Sequence, residues 1–352
     1  MTRILLVGYG DIARRTASLL VDRHRVYGLV REPQSRAPGG AGVTPVTGDL
    51  DSLRKLSRLS GLADIVVHLA PPPRSGDADL RTRRLLAALS RPRGRRVALS
   101  GGPGRSAATR IANPRATRKA AKMLPHRLVY ISTSGVYGDC AGERAAETRP
   151  VRPATPRARR RADAERQMRR WGARNAVTVG IVRVPGIYAA DRLPLERVRA
   201  GEPALRREED VFTNHIHADD LARVIALGMR RMRPGRVYNC VDASDLRAGD
   251  YFDLVADAAG LPRPPRVSRS DARRELGENR MSFLEESRRL DGRRIADELR
   301  IRLRYPTVAS GFAGFADRDE GSEKGREEGR EEGREEEREE EREEGRENGR
   351  GQ

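Results

Sequence analysis

The chain has 352 residues, 37% hydrophobic and 34% charged, with 70 basic against 51 acidic side chains and a formal charge of +19. No apolar run approaches the roughly 20 residues that cross a bilayer, and Arg14 and Arg15 interrupt the first apolar stretch, so neither a membrane span nor a secretory leader is expected. Cys140 and Cys240 stand apart and five histidines are scattered, which predicts no metal centre and a cytoplasmic protein.

The first element is the most informative. Arg3–Val7 is an apolar run too short for a helix, and it feeds the turn Gly8-Tyr9-Gly10-Asp11-Ile12-Ala13. Ile12, Thr16, Leu19 and Leu20 then follow at helical spacing. Strand, glycine turn and helix form the opening unit of a dinucleotide-binding fold. In that reading Gly8 permits the tight turn, and Gly10 lets the backbone approach a pyrophosphate. Ala13 stands where the helix packs close to the strand, and the N–H groups of Asp11 and Ile12 face the phosphates. A tight turn with no ligand is the alternative.

Further along, Arg25–Val30 reads as a second strand ending at Arg31, and Val43–Val46 as a third, closed by Gly48-Asp49. Asp64–Ala70 is nearly all apolar, as in a parallel strand covered on both faces, and Pro71, Pro72 and Pro73 stop it. A helix near Ala78–Leu89 follows. Residues 91–126 hold ten basic groups and no carboxylate among Gly, Pro, Ser and Ala, which predicts an inserted surface loop. Arg127–Ser132 is a fifth strand, Arg157–Trp171 a helix and Val177–Val184 a sixth strand. This alternation predicts a doubly wound parallel sheet. Then come a helix at Asp219–Arg230, a strand at Arg236–Val241, a helix at Tyr251–Ala259 and a loop at Pro262, Pro264 and Pro265.

The expected layout is a dinucleotide-binding domain over residues 1–182, carrying the 91–126 insert. A smaller C-terminal substrate lobe spans 183–316, with 217–241 returning to the sheet. Residues 317–352 repeat Gly-Arg-Glu-Glu without an apolar side chain, which predicts a disordered tail. That tail holds 17 carboxylates and 9 bases, leaving the body at +27. Such a body attracts polyanions. Only four of the 70 bases are lysine, however, so the arginine excess also fits a bias of the genome. An aromatic content of 4% and the lack of a helix-turn-helix or zinc-finger pattern argue against nucleic acid.

Taken in order, six segments resemble the extended short-chain dehydrogenase/reductases, the NAD-dependent epimerase/dehydratase group. They are the glycine turn; Gly48-Asp49-Leu50; His68-Leu69-Ala70; Ser132-Thr133-Ser134-Gly135-Val136-Tyr137-Gly138; Arg183-Val184-Pro185-Gly186-Ile187-Tyr188; and His215-Ile216-His217-Ala218-Asp219-Asp220-Leu221-Ala222. The resemblance spans roughly residues 3–310. It implies an α/β, Rossmann-like fold and an NAD(P)-dependent oxidoreductase or epimerase acting on a small-molecule substrate, with a homodimer as one assembly. It places Asp49 at the adenine, Leu69 and Ala70 along the cofactor, Pro185 beyond the sixth strand and Thr133 at the reacting oxygen. Arg31 stands where NAD-specific sites carry a carboxylate and suits a 2′-phosphate, so NADP is the expected cofactor. NAD is the alternative, through Glu32.

The family's Tyr-x-x-x-Lys pair is where the pattern departs. Aligned through Ala164-Glu165, its positions fall on Arg157 and Arg161. Arginine stays protonated, so Arg157 is no general acid, while Arg161 can still hold a ribose or phosphate. The chain thus resembles atypical members that keep the cofactor fold and lose the tyrosine. Substitutes as proton donor are Tyr137, His215 and His217; Glu147 and Glu165 read as solvated or helix-pairing groups. Arg157, Arg159, Arg160 and Arg161 are candidates for binding an anionic substrate. Two other functions stay open: a non-catalytic NADP(H)-binding redox sensor, and a polyanion binder.

Overall fold

The computed structural model describes residues 1–31, 42–91 and 123–313. Glu32, most of the 91–126 insert and the 317–352 tail lie outside the described residues.

Seven strands form one parallel sheet: β1 (Arg3–Val7), β2 (Arg25–Val30), β3 (Val43–Thr47), β4 (Ile65–His68), β5 (Arg127–Thr133), β6 (Thr178–Val184) and β7 (Val237–Asn239). Their spatial order is β7-β6-β5-β4-β1-β2-β3, in parallel register throughout. The helices are α1 (Asp11–Ser18), α2 (Leu80–Leu89), α3 (Pro156–Asn175), α4 (Leu195–Arg199), α5 (Ala218–Arg231), α6 (Ala248–Ala258), α7 (Arg269–Glu275), α8 (Glu278–Leu284), α9 (Arg293–Leu299) and α10 (Val308–Phe312).

The apolar strands form a sheet because both of its faces are covered. Successive side chains of a strand point to opposite faces, and Leu5 and Leu6 are both fully buried, one in each of two cores. Leu6 joins Ala13 and Ala17 of α1, Leu221 and Ile225 of α5, and Ile295 and Leu299 of α9. Leu5 joins Leu85 and Leu89 of α2 with Met168 and Trp171 of α3. Strand order reverses between β1 and β4, and at such a switch point the carboxyl ends leave a crevice.

The remaining chain builds a smaller lobe from short pieces. Gly186–Tyr188 pairs in parallel with His215–His217, and Phe212–Thr213 pairs antiparallel with Leu246–Arg247. Tyr188, Val198, Tyr251, Val255, Val308 and Phe312 form its core.

Several boundaries differ from the sequence expectation. α3 runs to Asn175 rather than Trp171, and it starts with Pro156 behind Thr155, whose hydroxyl accepts from the Ala158 amide at 3.2 Å. β7 is shorter than Arg236–Val241, because pairing with β6 ends at Asn239. α6 begins at Ala248, where the Asp250 carboxylate accepts from the Arg247 amide. The stretch 217–241 supplies α5 and β7 to the sheet. The chain then returns once more through α9, a step that the proline-marked loop at 262–265 does not announce. α7, α8 and α10 were likewise not anticipated.

Candidate functional site

The crevice begins with the glycine turn. Gly8 has φ +88°, and a Cβ there would lie 2.5 Å from the Ala70 amide nitrogen. The cause is the end of β4, where the Leu69 and Ala70 amides both donate to the Val7 carbonyl, at 2.8 and 3.0 Å. Gly10 is the opposite case: a Cβ on it would meet nothing within 4 Å. Gly10 also precedes α1 without any side-chain cap, which leaves the first-turn N–H groups of Asp11 and Ile12 free of a side-chain acceptor. Open space in front of uncapped amides at a helix start fits a dinucleotide diphosphate. Ala13 is buried against the sheet.

A net of ion pairs ties the lobe to this turn. Asp11 accepts from Arg15 at 3.0 Å and from Arg192 at 2.7 Å. Arg15 reaches on to Asp219 at 2.8 Å and to Asp191. Residues 190–192, which follow the Pro185–Tyr188 stretch, are thereby fastened beside α1.

Along the crevice, Arg31 is exposed at the end of β2, and its charge helps hold the Asp51 carboxyl below its ordinary range, after the larger effect of Arg81. Asp49 is half-buried and accepts from the Asp51 amide at 2.9 Å. Leu69, Ala70 and Pro185 sit at the carboxyl ends of β4 and β6, as the fold requires. Thr133 ends β5, half-buried, with Oγ1 accepting from the Gly135 amide at 3.3 Å. Arg161 donates to the Ile131 carbonyl at 2.8 Å and to the Tyr130 hydroxyl at 3.2 Å.

The substitute proton donors fare differently. The Tyr137 ring is fully buried, its hydroxyl donates to Asn239 Oδ1 at 2.8 Å, and the Arg183 guanidinium lies 4.6 Å from its centre. Burial raises its pKa further, so the geometry gives Tyr137 a structural place rather than a reactive one. His215 is buried and stacked on Tyr251 at 4.0 Å, and desolvation pulls its pKa to about 3. His217 is also buried, with a pKa lowered first by burial, and its Nδ1 accepts from the Asp219 amide at the start of α5. Both imidazoles are held neutral. Asp220, fully buried, accepts from the Arg304 and Tyr305 amides, so this box ties down the stretch that leads into α10.

Glu147 and Glu165 are not solvated, which corrects the sequence reading. Glu165 accepts from Ser132 at 2.7 Å and twice from Arg183, at 3.1 and 2.8 Å, with both partners buried. Burial opposes the Arg183 charge, but these bonds more than offset it and hold its pKa above the usual value. Glu147 accepts from the Asn239 amide at 3.0 Å.

Glu286 and Arg288, which sequence reasoning missed, stand beside the start of α3. Arg288 donates to the Gly138 carbonyl at 3.0 Å and to Glu286 at 2.7 Å. Arg157 places its guanidinium 4.2 Å from the Phe283 ring centre. No local pattern joins residues 283–288 to 138 or 157; the one available signal was Arg288 close behind Glu286 in an otherwise featureless stretch. Arg159 pairs with Asp77 on the surface, and Arg160 donates to the Gly76 carbonyl. Among the described residues no group of three or more His, Cys, Asp or Glu can hold a metal ion, and no helix is long and apolar enough to cross a membrane.

Comparison with known proteins bears on the fold. The model of the NAD dependent epimerase/dehydratase family matches residues 102–240. A comparison with curated protein sequences finds no match. Among solved structures, a functionally unknown conserved protein from Silicibacter pomeroyi is 27% identical, with a TM-score of 0.67 over 90% of this chain and 99% of that one. A dTDP-glucose 4,6-dehydratase from Streptomyces venezuelae with NAD bound is 20% identical, with a TM-score of 0.63 over 88% and 94%. A UDP-glucose 4-epimerase from Thermotoga maritima is 15% identical, with a TM-score of 0.64 over 88% and 96%. These likenesses establish the fold.

Proposed function

We propose that this chain is an NAD(P)-dependent oxidoreductase or epimerase-like enzyme acting on a small, anionic substrate. The observation that carries the reading is the contrast within the glycine turn. Gly8 is filled to contact by β4, whereas Gly10 opens on empty space before uncapped amides, at the sheet's switch point. A dehydratase of similar fold binds NAD, which supports a dinucleotide as this chain's ligand.

When bound, the nicotinamide would supply hydride acceptance and donation. The chain's own residues do the rest. The first-turn amides of α1 hold the diphosphate, Arg31 takes a 2′-phosphate, and Asp49 orients the adenine end. Leu69, Ala70 and Pro185 wall the cofactor, Arg161 faces its ribose, and Thr133 donates a hydrogen bond to the reacting oxygen. The arginines that open α3 receive the substrate's charge.

The test is titration of the full chain with NADPH and NADH, beside Arg31→Glu. Wild type should prefer NADPH, and the variant should reverse the order by tenfold or more, about 1.4 kcal/mol. If neither nucleotide binds at millimolar concentration, the reading falls. A second reading, a redox sensor without catalysis, draws on the burial of Tyr137 and the neutral histidines. Tight NADPH binding with no hydride transfer to hydroxy acids, aldehydes or sugar nucleotides would favour it.

A further inference from the structure

Four charged side chains meet where α3 begins: Arg157, Arg160, Glu286 and Arg288. The Arg157 charge is disfavoured by burial and by its neighbours Arg288 and Arg160, while Glu286 opposes this; the net pKa is lowered. Three guanidiniums against one carboxylate leave the cluster cationic. Glu286 and Arg288 are about nine-tenths buried, with side chains 10% and 14% exposed.

Among the described residues, three buried polar atoms here have no hydrogen-bond partner: Glu286 Oε1, Arg288 Nε and Arg160 Nε. Leaving a buried donor or acceptor unpaired is destabilising. The two unmet guanidinium donors call for an acceptor, which an anion supplies, whereas Glu286 Oε1 is itself an acceptor and gains nothing from it. The place is also the right one. Gly138, whose carbonyl holds Arg288, closes the short turn that Thr133 opens. A Cβ on Gly135 would sit 3.7 Å from Thr133 Oγ1 and 3.8 Å from Ala158, the neighbour of Arg157.

We propose that Arg157 and Arg288 hold an acidic group of the substrate, a carboxylate or phosphate, and that Glu286 is its internal stand-in. The inference rests on the crevice being a substrate site, and it names that substrate's class. Arriving anion and Glu286 are both oxygen acceptors, so exchange at Arg288 keeps the guanidinium paired. Arginine at the tyrosine position thereby turns a proton-transfer post into a fixed anchor for charge.

The experiment uses the full chain without dinucleotide, titrated calorimetrically with oxalate and, separately, inorganic phosphate. Saturable binding of either probe that Arg157→Met weakens supports the proposal, and the tighter such probe says which acidic group is meant. Arg157→Met should weaken binding about tenfold or more, and Glu286→Gln should tighten it about fivefold by removing the competing carboxylate. Arg174→Met, exposed near the far end of α3, is the control and should change nothing. Because Arg157 is only partly covered, its variant keeps the reading testable if Glu286→Gln unfolds. No saturable heat up to about 20 mM of either probe, or binding indifferent to Arg157→Met, overturns the proposal. Neither result bears on NADPH titration, so failure here and failure of the cofactor reading are separable.

Discussion

The glycine turn offers a double dissociation between stability and binding. In Gly8→Ala the new Cβ sits 2.5 Å from the Ala70 nitrogen, 2.6 Å from its Cα and 2.9 Å from its Cβ. Two of those atoms are backbone, held to Val7 by hydrogen bonds, so relief requires parting β1 from the end of β4. A Cβ in the positive-φ region costs roughly 1–2 kcal/mol, and overpacking a tight contact roughly 1–3 kcal/mol. Gly8→Ala should therefore lose about 2–5 kcal/mol. Gly10→Ala meets no atom within 4 Å and has φ −96°, so it should lose only about 0.5–1 kcal/mol as a poorer cap. Its methyl nevertheless projects where the diphosphate would lie, and NADPH affinity should fall at least tenfold. Urea unfolding followed through Trp171, the single tryptophan, reads the first effect. Nicotinamide fluorescence reads the second. Equal destabilisation by the two variants, or unchanged NADPH affinity in Gly10→Ala, would refute the reasoning.

Three other outcomes follow from the buried polar groups. Tyr137→Phe leaves Asn239 Oδ1 without its donor and should cost about 1–3 kcal/mol while leaving NADPH affinity unchanged, as parallel urea and fluorescence titrations would show. Asp242 is buried with its carboxyl pushed up to about 6, chiefly by desolvation, so its ionised form opposes folding. Asp242→Asn should stabilise the chain by up to about 3 kcal/mol above pH 7, and the gain should vanish as pH falls toward 4, which unfolding at pH 4.5 and 7.5 would test. His68 and His215 are buried with pKa values lowered to about 3, so below pH 6.5 the unfolded chain takes up protons that the folded chain refuses. Each should cost about 1.4 kcal/mol per pH unit between 6.5 and 3, and His215→Gln should flatten that slope; an unchanged slope would count against the burial argument.

The parts of this fold legible in the sequence are those where one short-range rule dominates. A strand buried on both faces is apolar along most of its length, so β1, β4, β5 and β6 announce themselves. Gly8 and Gly10 are readable because a positive φ and a side-chain-free approach both demand glycine. The lobe obeys no such rule. Its strands are two or three residues long, and helices such as α7 and α10 are too short to carry a periodic face, so tertiary contacts create them. Buried charge is illegible for the same reason. Glu165 looks like any helix-surface glutamate until β6 brings Arg183 against it, and nothing near Glu147 predicts the Asn239 amide.

Arg157 illustrates how an apparent loss in the sequence changes meaning once partners are known. Taken alone, arginine in the tyrosine position removes a proton donor and points toward an inactive relative. Beside Glu286 and Arg288 it belongs to a cationic cluster with unsatisfied buried atoms, one short turn from Thr133. The polarity of the position has been inverted rather than erased, because a permanent cation cannot exchange a proton at neutral pH but can fix an anion. Proton transfer, if the chain performs it, must then come from a group whose protonation changes near neutrality. Tyr137, His215 and His217 are buried away from that task.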